Sequence, residues 1–147
     1  MTSRTKKLMC ATVFFVLGAA LVAEQTPAKC SLTVKVTGLH NTDGNVKLTL
    51  RSDPNTVVQR GVTEIDSKTM TATSVFENLV PGTYGVAVLH DQNNNGKLDF
   101  NDVGMPLEGY GHSNNPAKRE GPPRFDETKF TLTEPTTSIE IQLIYWP

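Results

Sequence analysis

The residues best suited to chemistry in this chain lie in the twelve-residue segment 91–102, DQNNNGKLDFND. Oxygen-bearing side chains occupy positions one, three, five, nine and twelve of this segment, and a glycine occupies position six. This is the spacing of an EF-hand-type loop, in which hard oxygen donors surround a hard cation such as Ca²⁺ and the glycine makes the sharp turn. The predicted ligands are Asp91, Asn93, Asn95, the backbone carbonyl of Lys97, Asp99 and Asp102.

The flanks of this segment differ from those of a helix–loop–helix. Residues 84–90 alternate as a strand does, and Gly104 and Pro106 would stop an exit helix. The sequence therefore predicts an EF-hand-like loop on a β scaffold, with weak affinity for Ca²⁺, in the range of about 0.1–1 mM. We expect Asp91→Ala to leave the ion-free protein nearly unchanged, because the change relieves repulsion in an empty acidic loop. The alternative is an Asn/Gly-rich turn whose side chains bond to their own backbone.

A second set of polar residues lies beside and after the loop. His90, Glu108 and His112 could surround a catalytic metal, which would make the protein a hydrolase-like enzyme that uses the 90–126 region. Their spacing matches no zinc pattern, and we expect His90 to orient the loop by a hydrogen bond instead. The favoured function is a non-catalytic module with a binding surface for an envelope protein or a glycan. The candidate residues of that surface are His90, Glu108, Tyr110, His112, Asn114 and Asn115.

Several aromatic residues follow the loop, and they have two interpretations. They could stack on a glycan or a peptide, or they could pack the long 91–126 segment against the edge of the fold. We favour packing for Tyr110 and Phe125, since single exposed aromatic side chains are a weak sign of a binding site. The aromatic residues concerned are Tyr110, Phe125, Tyr145 and Trp146.

The first 23 residues have the features of a signal peptide: three basic residues and then an apolar run from 8 to 23. Their removal would change the formal net charge from −1 to −4, because they contain no acidic residue. We therefore expect a periplasmic or extracellular protein, with residues 24–147 as a single domain. Scattered basic residues disfavour nucleic-acid binding, and no segment of the mature chain is long and apolar enough to span a membrane. Cys30 would be the one mature cysteine, and we expect it to be a buried small apolar residue.

Alternation of apolar and polar residues dominates the rest of the mature chain. Leu32, Val34 and Val36 alternate with polar residues, as do three apolar residues within 46–50, and we expect these two runs to form a hairpin. Further strands are predicted around 57–62, 71–77, 84–89, 129–133 and 138–145. About seven short strands without helical periodicity predict an all-β fold, an antiparallel Greek-key β-sandwich with a long calcium-type loop.

Two stretches resemble known families. Residues 76–86, FENLVPGTYGV, are similar to a hairpin signature of prealbumin-like and carboxypeptidase-regulatory-like sandwiches. The motifs HDQNNNGKLD at 90–99, GMPLEGYGHSNN at 104–115 and GPPRF at 121–125 resemble an exported bacterial family, domain of unknown function 2141. That resemblance covers essentially the whole mature chain. It implies an exported β-sandwich and provides no catalytic residues to transfer.

Overall fold

The computed structural model describes residues 29–117, 121–133 and 135–147. The predicted signal peptide, residues 1–23, lies outside these ranges. The described chain forms two β-sheets that enclose one apolar core, which confirms the predicted all-β sandwich. Its elements are β1 (Cys30–Thr37), β2 (Asn45–Arg51), β3 (Val57–Thr63), β4 (Ala72–Leu79), β5 (Gly82–Asp91), β6 (Gly109–His112), α1 (Phe125–Thr128), β7 (Phe130–Leu132) and β8 (Thr136–Gln142).

One sheet has the strand order β4-β1-β8, and the other has the order β3-β2-β5-β6, with β7 also paired to β5. All of these pairs are antiparallel except β1 with β8, which is parallel. The predicted hairpin between β1 and β2 is wrong, because the two strands lie in different sheets. A hairpin and a crossover between sheets bury the same alternate residues, so the alternation could not distinguish them. Gly38 and Gly44, both at positive φ, lie in the segment that crosses over.

The core contains the alternate residues that the sequence predicted. Leu32, Val34 and Val36 of β1 belong to the same core as three apolar residues of β2, and all six are at most 1% exposed. Burial of each such side chain contributes about 1.5–3 kcal/mol to folding. Cys30 is also buried and carries a free thiol, as predicted. Within the described ranges, no helix is long and apolar enough to cross a membrane.

Strand β6 lies in the 91–126 segment, where the sequence analysis predicted no strand. Gly109 and Gly111 face the core there, and the residues between and after them face outward. A Cβ at Gly111 would lie 2.8 Å from Cγ2 of Ile141, and one at Gly109 would overlap the ring of Tyr145. The inward positions of β6 must therefore be glycine. For that reason the strand shows no apolar alternation in the sequence.

Candidate metal loop and its surroundings

Asp91 is the last residue of β5, and its side chain is completely buried. Its carboxylate forms an ion pair with Nζ of Lys47, which lies on the neighbouring strand β2. The same carboxylate accepts hydrogen bonds from the backbone N–H groups of Gly96, at 2.8 Å, and Asn95, at 3.0 Å. Asp91 therefore ties the loop to the sheet and folds residues 91–96 around its own side chain.

The charge on Asp91 is stabilised by these contacts. Burial by itself raises the pKa of this carboxyl, but the hydrogen bonds from Lys47 and from the Gly96 N–H, with the charge of Lys47, outweigh that effect. The pKa consequently lies below its ordinary value of 3.8. This arrangement argues against the expectation that Asp91→Ala leaves the ion-free protein unchanged. The alanine variant would leave Lys47 and two backbone donors without their partner.

Three further predicted ligands converge in the loop. Nδ2 of Asn93 and Nδ2 of Asn95 each donate a hydrogen bond of 2.6 Å to Oδ2 of Asp99. The Oδ1 atoms of the two asparagines accept backbone N–H groups at 3.0 Å, from Asn95 and Lys97 respectively. Such side-chain-to-backbone bonds are typical of Asn-rich turns as well as of cation loops. The loop geometry by itself is therefore compatible with both interpretations of the segment.

The last predicted ligand lies apart from this group. Asp102 is exposed in a turn in which Oδ1 of Asn101 accepts the N–H groups of Val103 and Met105, and Gly104 has a positive φ. Asp102 makes no hydrogen bond or ion pair with a described residue.

A different acid, Glu108, closes the loop. It is only 4% exposed, and its two carboxylate oxygens accept the backbone N–H groups of Gln92, at 2.9 Å, and Asp99, at 3.2 Å. From the sequence, Glu108 was predicted to belong to a binding surface, but its side chain is buried. Its role as a bridge between the two ends of the loop has no local signal, because sixteen positions separate it from Gln92.

The donors of the loop suit a hard cation. Carboxylate, amide and backbone oxygens are the ligands that Ca²⁺ takes, and Asp91, Asn93, Asn95, Asp99 and the Lys97 carbonyl supply them. One buried side-chain oxygen near the loop, Oδ1 of Asn45, has no hydrogen-bond partner among the described residues. Asn45 is paired with Asp91 in the sheet. Within the described ranges, no group of three His, Cys, Asp or Glu side chains is placed to hold a metal ion.

The two histidines near the loop lie on opposite faces of the same sheet. His90 is completely buried, and its Nε2 lies 2.8 Å from the carbonyl oxygen of Asp43, while Nδ1 lies 2.6 Å from the hydroxyl of Tyr145. In the neutral ring, Nε2 therefore donates and Nδ1 accepts. His112 pairs with Ala87 on the outer face. Because the sheet separates them, the two rings cannot bind one ion, so the alternative arrangement of His90, Glu108 and His112 around one catalytic metal does not form.

The remaining candidate surface residues divide into two groups. Asn114 donates to the carbonyl oxygen of Lys129 at 2.8 Å, and Oδ1 of Asn115 accepts the N–H of Gln142 at 2.8 Å, so both asparagines hold the turn after β6 against its neighbours. Tyr110 and His112 lie on the outer face of β6, with their ring centroids 6.3 Å apart. The hydroxyl of Tyr110 accepts a hydrogen bond of 2.9 Å from Nε1 of Trp146. Burial lowers the pKa of His112 from 6.5 to about 4.

Phe125 packs on the sandwich, as predicted. A Cβ on Gly85 would lie 3.0 Å from the Phe125 ring, so the absence of a side chain at Gly85 admits the aromatic ring. Tyr145 stacks on His40 with a centroid distance of 3.7 Å. The aromatic residues after the loop therefore have packing roles, and Tyr110 and Trp146 also face the outer side of the five-stranded sheet.

Comparison with known proteins places these features in one family. The family model described as "Uncharacterized protein conserved in bacteria (DUF2141)" matches residues 34–140. The matched range begins in β1, ends in β8 and includes the whole loop. No curated protein and no solved structure matches the chain.

Proposed function

Because the chain belongs to the DUF2141 family, whose description carries no activity, we propose a function from the chemistry of its loop. The protein is an exported, non-catalytic binding module of the cell envelope, and the 91–102 loop binds Ca²⁺. The observation that carries this proposal is the convergence of Asn93, Asn95 and Asp99 beside the buried carboxylate of Asp91. These groups provide hard oxygen donors at the spacing that Ca²⁺ loops use.

Calcium has a physical role in this interpretation. Residues 93–97 are exposed, so the loop is ordered by polar contacts and lacks an apolar core of its own. A bound cation would add ligand bonds to the asparagines and to Asp99, and it would fix the surface that the loop presents to an envelope protein or a glycan. The predicted affinity is weak, about 0.1–1 mM, because the loop offers few charges.

Export is supported by the basic residues and the apolar run in the first 23 positions. We expect the mature chain to begin at or near Glu24 and to be recovered from the periplasm or the medium. N-terminal sequencing after cell fractionation tests this expectation. An intact Met1 on cytosolic protein would contradict it.

A thermal-shift titration tests calcium binding. Calcium at ten times its dissociation constant should stabilise the fold by about 1.4 kcal/mol, which raises the melting temperature of a small domain by several degrees. Asp99→Asn should reduce the rise, because it removes a ligand charge and changes no buried group. Lys97→Ala is the matched control and should keep the rise, since only its backbone carbonyl is a ligand. Magnesium should substitute poorly.

The titration also decides which acid closes the site. From the position of Glu108, we expect Glu108→Gln to weaken calcium binding and Asp102→Asn to leave it unchanged. Affinity is measured by calorimetry, and the melting temperature without calcium is recorded for each variant, so that loss of folding is separated from loss of binding. The absence of both a thermal shift and calorimetric heat at millimolar calcium would leave the loop as an Asn-rich turn.

A further inference from the structure

The outer face of the five-stranded sheet forms the base of a groove that was not predicted from the sequence. Residues paired across four adjacent strands point away from the core there and make two parallel rows, and neighbouring strands lie about 4.8 Å apart. One row, from β3 to β6, is Val62, Lys47, Leu89 and Tyr110, and the other is Arg60, Thr49, Ala87 and His112. Thr49 and Ala87 lie in the middle of these rows. Because their side chains are small, they leave space above the sheet at that point.

The loop and the C-terminus form the walls of this groove. One side of the groove is formed by three residues that follow Asp99 in the chain: Phe100, Val103 and Met105. Trp146, near the C-terminus, also lines the groove. The groove that results has a volume of about 830 Å³, which is within the range of small-molecule sites. Phe100 is 55% exposed and Val103 is 81% exposed. Large apolar side chains exposed together around a concavity are typical of a binding site.

The charge of the groove is one-sided. Among the described residues that line it, two are cationic and none is acidic, although the whole chain has 15 acidic and 14 basic residues. Lys47 is already paired with Asp91. The side chain of Arg60 is exposed on β3 and makes no hydrogen bond or ion pair with a described residue. The groove therefore combines apolar walls with one guanidinium whose charge has no partner in the described chain.

We propose that this groove binds a small organic anion with an elongated apolar body. The anionic group is held by Arg60, whose planar guanidinium suits a carboxylate, and the apolar body lies over Ala87 and Leu89 against Phe100. Without such a ligand, the apolar walls remain in water. The inference deepens the binding-module function proposed above and rests on it, but it does not require calcium.

The test is calorimetric titration of the mature protein with octanoate in the presence of a calcium chelator, with 1-octanol as the neutral probe of the same length. We expect saturable binding of one octanoate per chain. Octanol should bind about tenfold more weakly, because it lacks the charge-assisted hydrogen bond to Arg60. Equal affinity for the two probes would overturn the assignment of an anion site.

Two variants locate the ligand. Arg60→Gln should weaken octanoate about tenfold and leave octanol unchanged, whereas Lys35→Gln, an exposed cation on β1 of the other sheet, should change neither. Phe100→Ser should weaken both probes. Its control is Val75→Ser, which removes an exposed apolar side chain from β4. All four positions are solvent-exposed, so the variants should melt close to the parent.

Three further results would overturn the proposal. The first is absence of saturable octanoate binding, and the second is binding that Arg60→Gln does not affect. The third is concentration-dependent self-association that Phe100→Ser abolishes, which would assign the groove to a contact between copies of the chain. A calcium-induced thermal shift without octanoate binding would reject this inference alone, and octanoate binding without a calcium shift would reject only the calcium part of the proposed function.

Discussion

The interior of the sandwich and the loop between Asp91 and Glu108 are held by different forces. In the interior, apolar side chains from both sheets pack together, and the stabilisation grows with the area that they bury. In the loop, two buried carboxylates, Asp91 and Glu108, accept four backbone N–H groups and one lysine. A core residue can therefore be replaced by another apolar residue of similar size at small cost. A loop residue depends on particular oxygen atoms, so even an isosteric change removes its contacts.

The largest expected effect comes from placing a charge in the interior. Val34 and Ile141 are completely buried, so Val34→Asp and Ile141→Asp should prevent folding, because an unpaired buried charge costs several kcal/mol in a domain with a stability of about 5–15 kcal/mol. Val75→Asp is the control, since Val75 is 52% exposed on β4 of the same sheet. Circular dichroism melts measure all three. Folded Val34→Asp and Ile141→Asp variants with the parental melting temperature would show that these faces are not core.

An intermediate effect is expected where the loop joins the sheet. A double-mutant cycle on Lys47 and Asp91 should give a coupling free energy of about 2–4 kcal/mol, because the carboxylate is completely buried and the lysine is largely buried. The matched cycle on Lys97 and Asp99 should give less than about 1 kcal/mol, because that ion pair is 3.9 Å long and Lys97 is exposed. Chemical denaturation without calcium provides the free energies. Equal coupling free energies would show that the buried Lys47–Asp91 pair stabilises the fold no more than the exposed Lys97–Asp99 pair does.

A smaller effect concerns pH and the outer face. The pKa of His112 in the folded protein is about 4, below its ordinary value of 6.5, so between these values the unfolded chain binds a proton that the folded chain does not. The contribution of His112 to the free energy of unfolding should therefore be fully present above pH 6.5 and should be lost as the pH falls towards 4. The loss should be on the order of 2 kcal/mol, a size that is limited because the ring is only partly buried.

His112→Gln isolates this contribution. The difference in unfolding free energy between parent and variant should change between pH 6.5 and pH 4 and stay constant above that window. The lowered pKa of Asp91 also reduces stability as the pH falls, but only near and below pH 3.8, so the two groups act in different windows. If the difference in unfolding free energy between parent and variant stayed constant over the whole pH range, the pKa of His112 would be the same in the folded and unfolded chain.

The sequence predicted the parts of this fold that depend on neighbouring residues in the chain. The alternation of Leu32, Val34 and Val36 identified a buried strand face, because a strand turns successive side chains to opposite sides. The Asp/Asn/Gly spacing of 91–99 identified a loop, because those residues bond to backbone atoms only a few positions away. The family resemblance was also local in origin, and the family match confirms it.

Only the tertiary structure decided how distant residues meet. Alternation does not specify the sheet that a strand joins, so β1 and β2 were predicted to pair although they lie in separate sheets. The glycines of β6 conceal a strand, because their lack of side chains is what allows Tyr145 and Ile141 to pack against it. The opposite faces taken by His90 and His112, and the closure of the loop by Glu108, depend on strand register and on contacts between residues far apart in the chain. Local residue preferences carry no information about such contacts. The contacts are set by the packing of the whole sandwich that buries the most apolar surface without leaving polar groups unpaired.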